Sequence, residues 1–350
     1  MTKTSDRAAA LERFVAAHSD DARFELAPAS SDASSRSYWR VRGADGRTRI
    51  VMDAPSDRGE LDAWLAIGAR LREAGLHAPE VFGVDRERGF VLMEDLGART
   101  YLQALDDASA DALYADALEA LLRAQQRVAP HALPAFDDAF VRTELELLPE
   151  WFLRRHLGVE PTPDERATLD RAFAALAAAL REQPQRFMHR DYHSRNLMIG
   201  ARGAETGAAP MLANPGIVDF QGAVRGPLAY DLASLLRDCY VAWPPERVAA
   251  WAERYRRRLL EAGLVGTEVD TARFRRWFDL AGLQRHLKVL GIFCRLRYRD
   301  GKPQYLADLP RVWHYALAVA REHAPFHALA DLLERARAGR DLARPRDEPA

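Results

Sequence analysis

Lysine is almost missing from this sequence of 350 residues, where it occurs only at Lys3, Lys288 and Lys302. Cysteine is equally scarce, with Cys239 and Cys294 alone. Two cysteines at that separation form neither a disulfide framework nor a metal knuckle, so we expect both to be buried thiols. Arginine therefore supplies nearly all of the positive charge.

The sequence also lacks net charge and long apolar runs. Its formal net charge is −1, so there is no basic excess to bind nucleic acid or anionic lipid. The start of the chain is polar and charged rather than an apolar leader, and no apolar run approaches the length of a membrane span. We therefore expect a cytoplasmic protein, with a monomer favoured, that acts on a small molecule and binds neither nucleic acid nor membrane.

The first quarter of the chain alternates between helical and strand patterns. Residues 6–18 carry apolar side chains at helical spacing, and a second helix is expected between Asp57 and Gly75. Aromatic and β-branched types predict two antiparallel strand pairs. These strands are predicted at 37–42 with 48–54, joined by a Gly-Ala-Asp-Gly turn, and at 81–84 with 90–93.

Helical patterns dominate after the second strand pair. The change predicts an α+β protein with a small antiparallel-sheet lobe, residues 1–95, and a large helical lobe, residues 96–340. The charged, proline-containing end, residues 341–350, is expected to be disordered.

The most informative segment is His-Arg-Asp-Tyr-His-Ser-Arg-Asn, residues 189–196. Short apolar runs at 197–199 and 217–220 follow it, and we expect them to form an antiparallel hairpin. Such a hairpin brings Asn196 and Asp219 together at one end, with Asp191 just before it.

These three side chains suit phosphoryl transfer. The reaction needs a carboxylate that orients the attacking hydroxyl and accepts its proton, a role that fits Asp191. It also needs Mg²⁺ on the phosphates, and Asn196 and Asp219 offer the hard oxygen ligands that this ion prefers. Asp191, Asn196 and Asp219 are therefore the predicted catalytic residues, and the last two are the predicted metal ligands.

With this motif, the chain resembles the aminoglycoside phosphotransferase and choline kinase superfamily over about residues 20–335. The resemblance implies a bilobal protein-kinase-like fold, with ATP bound at a hinge near Glu94 and Leu96 and with Mg²⁺ as cofactor. Residues 50–55, 219–238 and 284–293 are more narrowly similar to the anomeric kinases of bacterial peptidoglycan recycling. Those enzymes phosphorylate N-acetylmuramate and N-acetylglucosamine at the C1 hydroxyl.

The sequence departs from that family on the third strand, where kinases usually carry a lysine and this chain has Asp53. Strand alternation would turn Val51 and Asp53 together toward the nucleotide. Arg36 or a second metal ion could neutralise Asp53, and Ser34 and Ser35 could contact phosphate, although an ordinary hairpin loop explains these serines equally well. Because no lysine is available to pair with it, Glu60 is expected to cap a helix.

The sugar-binding residues are harder to predict. Two candidates lie within the catalytic motif, two follow Asp219 and four share a stripe on a late helix; solvated faces would explain these positions as well. The candidates are His193, Arg195, Gln221, Arg225, Trp277, Gln284, Lys288 and Arg295. Lys288 and Arg295 are the expected partners of a sugar carboxylate.

The same resemblance implies that two further polar residues support the catalytic loop rather than react. His189 should pack and hydrogen-bond within the loop, and Asp231, at the start of a helix, should tie the loop down. An aminoglycoside or choline-type phosphotransferase, or a non-catalytic nucleotide-binding module, remain the alternative functions.

Overall fold

The computed structural model describes residues 2–19, 23–30, 36–54, 58–200 and 212–346. The chain forms two compact units. The first contains residues 1–124 and 195–222, and the second contains residues 125–194 and 223–350.

An antiparallel sheet organises the first unit. Its strands are β1 (Phe24–Ser30), β2 (Ser37–Gly43), β3 (Thr48–Asp53), β5 (Val81–Asp85) and β6 (Phe90–Glu94), while β4 (Leu76–His77) pairs elsewhere. The order in the sheet is β1-β2-β3-β6-β5. Both predicted strand pairs are confirmed, and the turn between β2 and β3 uses Gly46 at a φ of 79°, a conformation that favours glycine. The sequence did not predict β1.

The helices of this unit are α1 (Thr2–His18), α2 (Arg58–Glu73), α3 (Tyr101–Ala104) and α4 (Ala110–Arg127), whose last turn passes into the second unit. Helix α1 covers one face of the sheet. Phe14 and Val15 of α1 pack in one buried cluster with Val51 of β3 and Leu92 of β6. Both predicted helices are confirmed, with α1 beginning earlier than expected.

The predicted catalytic hairpin is also present. Strands β8 (Leu197–Met198) and β9 (Leu212–Ile217) pair antiparallel, with Leu197 opposite Ile217. Strand β9 pairs in parallel with β4 as well, which the sequence did not predict. Because of this pairing, residues 195–222 belong to the first unit, so the units differ from lobes divided at residue 95.

The second unit is mainly helical. Its strands are β7 (Gln185–Met188) and β10 (Val224–Pro227), which pair antiparallel. Its α-helices are α5 (Asp138–Leu145), α6 (Pro163–Arg181), α7 (Tyr230–Leu236), α8 (Pro245–Glu261), α9 (Thr271–Tyr298), α10 (Leu309–Glu322) and α11 (His327–Arg337). A π-helical segment, Leu148–Leu157, and 3₁₀ turns at Pro130–Ala132, Pro303–Asp308 and Ala324–Phe326 complete it.

Helix α9 is the centre of the second unit. Asp270 caps its start by accepting a hydrogen bond of 2.8 Å from the backbone N–H of Arg273. Most of its side chains between Phe274 and Cys294 are buried on several sides, because α5, α6, α7 and α10 all pack against it. Cys294 and Cys239 are buried thiols, as expected.

The chain end differs from the prediction of a disordered tail from residue 341. Leu342 is only 2% exposed, and its carbonyl oxygen lies 3.1 Å from Nε2 of His156. Its apolar side chain therefore belongs to the core of the second unit. Residues 347–350 lie outside the described residues. Within the described ranges, no helix combines the length and apolar character that crossing a membrane requires.

Candidate active site

In the first unit, Asn196 and Asp219 lie side by side at the end of the β8–β9 hairpin. The Asn196 Nδ2 group lies 3.3 Å from Oδ2 of Asp219, and the Gln221 Nε2 group donates to Oδ1 of Asp219 over 2.8 Å. The Asp219 side chain is exposed. The predicted juxtaposition of Asn196 and Asp219 is therefore present, and the exposed carboxylate contacts two side-chain amides.

Phe220 fixes the position of Asp219. Its buried ring stacks on Trp64 of α2, with ring centroids 5.3 Å apart. A Cβ atom at Gly68, one helical turn further along α2, would lie 3.1 Å from this ring. The absence of a side chain at Gly68 thus allows Phe220 to pack closely on the helix. Asp219 itself adopts a left-handed φ of 60°, which this anchoring of its neighbour helps to maintain.

In the second unit, the loop that carries Asp191 is tied to α7. Both carboxylate oxygens of Asp231 accept backbone hydrogen bonds, from His189 at 2.6 Å and from Arg190 at 3.0 Å. The Nδ1 atom of buried His189 accepts a hydrogen bond of 3.3 Å from the Asp191 backbone N–H. The supporting roles predicted for His189 and Asp231 are confirmed.

Asp191 of this loop and Asp231 of α7 differ in their electrostatic environment. Burial raises the pKa of Asp231 to about 7, although its two backbone donors act in the opposite direction. Burial also acts to raise the pKa of Asp191, but the positive charges of Lys288, His193, Arg285 and Arg190 outweigh it and hold this pKa well below its usual range. Asp191 therefore remains a carboxylate at neutral pH.

The prediction that Val51 and Asp53 face a nucleotide is wrong. Val51 is completely buried beneath α1, and Asp53, on the same side of β3, pairs with Arg7 of α1. The Nε atom of Arg7 lies 3.0 and 3.1 Å from the two carboxylate oxygens of Asp53. Arg7, rather than Arg36 or a second metal ion, is therefore the cation that neutralises Asp53.

Arg36 has a different partner. It forms an ion pair with Glu60 in the first turn of α2, and its own side chain is largely buried. The expectation that Glu60 acts only as a cap is corrected, because Glu60 pairs with an arginine where related kinases use a lysine. Arg36 directly precedes Ser37, which lies opposite Asp53 in the β2–β3 ladder. Ser34 and Ser35, the other predicted phosphate contacts, lie outside the described residues.

The expected hinge after β6 is held by polar contacts. Nε2 of His77 lies 2.8 Å from Oε1 of Glu94. Burial acts to raise the pKa of Glu94, but this contact, the backbone N–H of Glu80 and the charge of Arg72 together lower it. Arg40 forms two hydrogen bonds, of 2.6 and 3.0 Å, with the carboxylate of Asp95. Leu96 follows and lies next to Gly216 of β9. Because the Glu94 side chain is occupied, only its backbone suits the predicted nucleotide contact.

The four sugar-binding candidates near the motif lie in different settings. His193 is buried and its ring packs edge-on against Tyr240, with centroids 5.4 Å apart. Arg195 is half-buried. Gln221 contacts Asp219 as described above, and Arg225 is an exposed residue of β10 whose backbone pairs with the segment before α5.

The predicted stripe on α9 does not form a pocket rim. Trp277 is 2% exposed, donates to Glu182 over 3.1 Å and is covered by Arg273, so its ring cannot stack on a sugar. Gln284 and Lys288 are buried and both contact Glu144 of α5. Arg295 is half-buried. The stripe is therefore largely part of the core, because α9 has neighbours on several sides.

Three residues of these environments, Arg7, Glu144 and Arg285, lie outside the sequence motifs. Arg285 is buried and donates to the Cys239 sulfur over 3.0 Å. For Glu144, a single charge in an otherwise ordinary amphipathic helix gave no signal. For Arg7, the unpaired carboxylate predicted at Asp53 was a signal that some cation had to be near.

Comparison with known proteins identifies a family and relatives for this chain. The family model described as "Phosphotransferase enzyme family", APH, matches residues 25–278. The chain is 42% identical to an N-acetylmuramate/N-acetylglucosamine kinase of Pseudomonas aeruginosa over 88% of both chains. It is 41% identical to the protein of the same name from Pseudomonas putida, over 90% of this chain and 89% of the relative.

A solved structure supports the fold independently. The ADP-bound crystal structure of aminoglycoside phosphotransferase APH(2'')-Ib superposes with a TM-score of 0.57 at 15% identity, covering 87% of this chain and 96% of the other. At that identity the likeness concerns the fold alone, and it confirms the predicted protein-kinase-like α+β fold. From the family match and these relatives, the chain belongs to the APH phosphotransferase enzyme family.

Proposed function

We propose that this chain is an ATP-dependent kinase that phosphorylates the anomeric C1 hydroxyl of N-acetylmuramate, N-acetylglucosamine or both, giving the sugar 1-phosphate in peptidoglycan recycling. The observation that carries the proposal is the 42% identity, over 88% of both chains, to a kinase named for these two sugars. The motif residues Asp191, Asn196 and Asp219 are all present, as turnover requires.

Asp191 is the proposed base. Its carboxylate accepts the proton of the C1 hydroxyl while the hydroxyl oxygen bonds to the γ-phosphorus, and the bond from that phosphorus to the β–γ bridging oxygen breaks to release ADP. A carboxylate with a lowered pKa is a weak base, so it serves mainly to orient the hydroxyl. An anomeric hydroxyl suits such a base, because it is more acidic than an ordinary alcohol.

Asn196 and Asp219 are the proposed ligands of one or two Mg²⁺ ions. The exposed carboxylate and the neighbouring amide fit a hard cation, since turning the Asn196 amide would place its oxygen beside Asp219. The bound ion would neutralise charge on the transferring phosphate. Gln221, which donates to Asp219, would then orient the carboxylate.

For the nucleotide, we propose that ATP contacts the backbone between Glu94 and Leu96 and that Arg36 meets its phosphates. The Arg36–Glu60 ion pair supports this proposal, because a helix glutamate that holds a cation near the phosphates is a general feature of kinases. Ser34 and Ser35 remain predicted phosphate contacts.

The charges near Asp191 favour this function over its rivals. Lys288, His193, Arg285 and Arg190 all lower the pKa of Asp191, so the surroundings of the base are mainly cationic. A polycationic aminoglycoside or choline would be better matched by carboxylates. The lactyl carboxylate of N-acetylmuramate is compatible with this environment, and His193, Arg195, Gln221, Arg225 and Arg295 remain proposed sugar contacts.

ATP turnover across a panel of acceptors tests the proposal. The panel contains N-acetylmuramate, N-acetylglucosamine, an aminoglycoside and choline, and the Asp191→Asn variant is assayed beside the wild type. We expect turnover with the amino sugars only, and a fall of at least about 100-fold in kcat in the variant with ATP binding retained. Turnover with the aminoglycoside or choline alone would support the rival phosphotransferases, and no turnover with any acceptor would support the binding module.

A further inference from the structure

Glu144 lies at the centre of a buried charged cluster in the second unit. Its side chain, near the end of α5, is only 8% exposed. One carboxylate oxygen accepts a hydrogen bond of 2.6 Å from the Arg190 Nη2 group and lies 3.4 Å from Nζ of Lys288. The other accepts a hydrogen bond of 3.0 Å from Nε2 of Gln284. A single carboxylate therefore links the catalytic loop to two residues of α9.

Lys288 is placed to act through the protein rather than on a ligand. Its side chain is 4% exposed, and Gln284 lies one helical turn before it on the same side of α9. A buried ammonium is stable only when it is paired, and Glu144 provides this pairing. The expectation that Lys288 binds the sugar carboxylate therefore does not fit the structure.

Glu144 also holds the residue that precedes the proposed base. Arg190 adopts a left-handed φ of 77°, a conformation that a side chain with a Cβ atom rarely takes. Its backbone N–H donates to Asp231, its side chain donates to Glu144, and its guanidinium lies 4.8 Å from the ring centroid of Phe140. These contacts maintain the strained conformation and so direct the backbone into Asp191.

We propose that Glu144 is a positioning residue for phosphoryl transfer, which holds Arg190 and Lys288 so that the Asp191 carboxylate stays aimed at the acceptor and ionised. Glu144 acts through these two cations. The proposal rests on the proposed kinase function and adds a residue to it that the sequence motif does not contain.

The electrostatic part involves titratable groups of α7, α9 and the loop. Lys288 and Arg285 of α9, together with His193 and Arg190 of the loop, favour the carboxylate, whereas Asp231 and Tyr230 of α7 are the acidic neighbours. Among the cations, Lys288 has the largest influence on Asp191. Removing its charge should therefore make Asp191 easier to protonate.

The first experiment measures kcat and KM of Glu144→Gln with ATP and N-acetylmuramate. A positioning role predicts a fall in kcat of at least about tenfold, with both KM values within about twofold of the wild type. Glu182→Gln is the matched control, because Glu182 also contacts α9, through Trp277 and Arg276, and carries no role in the mechanism. Its kcat should stay unchanged.

The second experiment separates positioning from mere folding. Lys288→Met should move the acid limb of the kcat–pH profile to higher pH, because Asp191 loses a neighbouring positive charge, while Glu182→Gln should leave the limb in place. The double variant Glu144→Gln with Lys288→Met leaves no unpaired cation at position 288, so its melting temperature should recover toward that of the wild type while its kcat stays low. Recovery of both quantities, or an unmoved acid limb in Lys288→Met, would overturn the inference.

The outcome also separates a failure of this inference from a failure of the proposed kinase function on which it rests. A wild type without activity on either amino sugar overturns the proposed function and the inference with it. A wild type that is active on them, together with Glu144→Gln of undiminished kcat, overturns the role of Glu144 alone.

Discussion

Arg7 and Asp53 form an ion pair between helix α1 and strand β3, with Nε of Arg7 at 3.0 Å from one carboxylate oxygen of Asp53 and 3.1 Å from the other. Asp53 stands where related kinases carry a phosphate-binding lysine. The pair shows how this chain tolerates an acidic residue there, because the carboxylate faces the covering helix and is neutralised by it. It also ties α1 to the sheet of the first unit.

The Arg7–Asp53 pair should be measurable as a coupling energy. Arg7→Ala should lower stability by about 1 kcal/mol, since it leaves a largely buried carboxylate without its cation. Asp53→Ala in the Arg7→Ala background should cost less than Asp53→Ala alone. Denaturant unfolding of the two single variants and the double variant checks this, and additive losses would show that the pair contributes nothing.

Arg36→Ala should weaken ATP binding. If Arg36 takes the place of the missing lysine, its loss should raise the KM for ATP by about tenfold and leave the KM for the sugar nearly unchanged. Glu60→Gln should have a smaller effect, because it releases Arg36 without removing its charge. Arg86→Ala is the control, since Arg86 is an exposed arginine paired with Asp62. An ATP KM in Arg36→Ala equal to that of this control would contradict the assignment.

Removing each of the two proposed metal ligands should affect turnover to a different degree. Asp219→Ala should abolish Mg²⁺-dependent turnover, because it removes the charged ligand, whereas Asn196→Ala should only raise the Mg²⁺ concentration needed for half-maximal activity. Titration of activity with Mg²⁺ checks both, with the exposed carboxylate variant Asp62→Ala as control. Mg²⁺ dependence like that of the wild type in both variants would remove these residues from the metal site.

His286 should make the protein sensitive to acid. Burial lowers its pKa to about 3, and its Nε2 atom lies 2.9 Å from the backbone oxygen of Arg237. The folded state thus keeps His286 neutral while the unfolded chain binds a proton below about pH 6.5, so stability falls as pH decreases from there. By pH 5 the resulting loss in the free energy of unfolding reaches ~2 kcal/mol.

The test of this pH dependence is thermal unfolding at pH 7 and pH 5. The melting temperature of His286→Gln should fall less from pH 7 to pH 5 than that of the wild type. His131→Gln, at an exposed histidine, is the matched control and should behave like the wild type. An unchanged pH dependence in His286→Gln would mean that other groups cause the acid sensitivity.

The sequence was sufficient to predict the features that depend on local pattern. The β2–β3 hairpin and the antiparallel pairing of β8 with β9 follow from turn residues and strand composition, whereas the support of the loop by Asp231 follows from the family resemblance. The pairing of β8 with β9 in turn predicts that Asn196 and Asp219 lie side by side.

The remaining features depend on tertiary contacts that no local pattern encodes. Arg7 meets Asp53 and Glu144 meets Lys288 across long stretches of chain, so nothing in the neighbouring residues identifies either pair. The error at Trp277 has a related cause. Helical spacing separates a buried face from a solvated one only when a helix has solvent on one side, and α9 is packed on several.

Phosphorus NMR of the reaction with N-acetylmuramate and with its C1 methyl glycoside tests the proposed function most directly. The methyl group blocks the anomeric hydroxyl and leaves the C6 hydroxyl free. A kinase that acts at C1 should convert the free sugar to its 1-phosphate and form no product from the glycoside. Phosphorylation of the glycoside would contradict transfer to the anomeric hydroxyl.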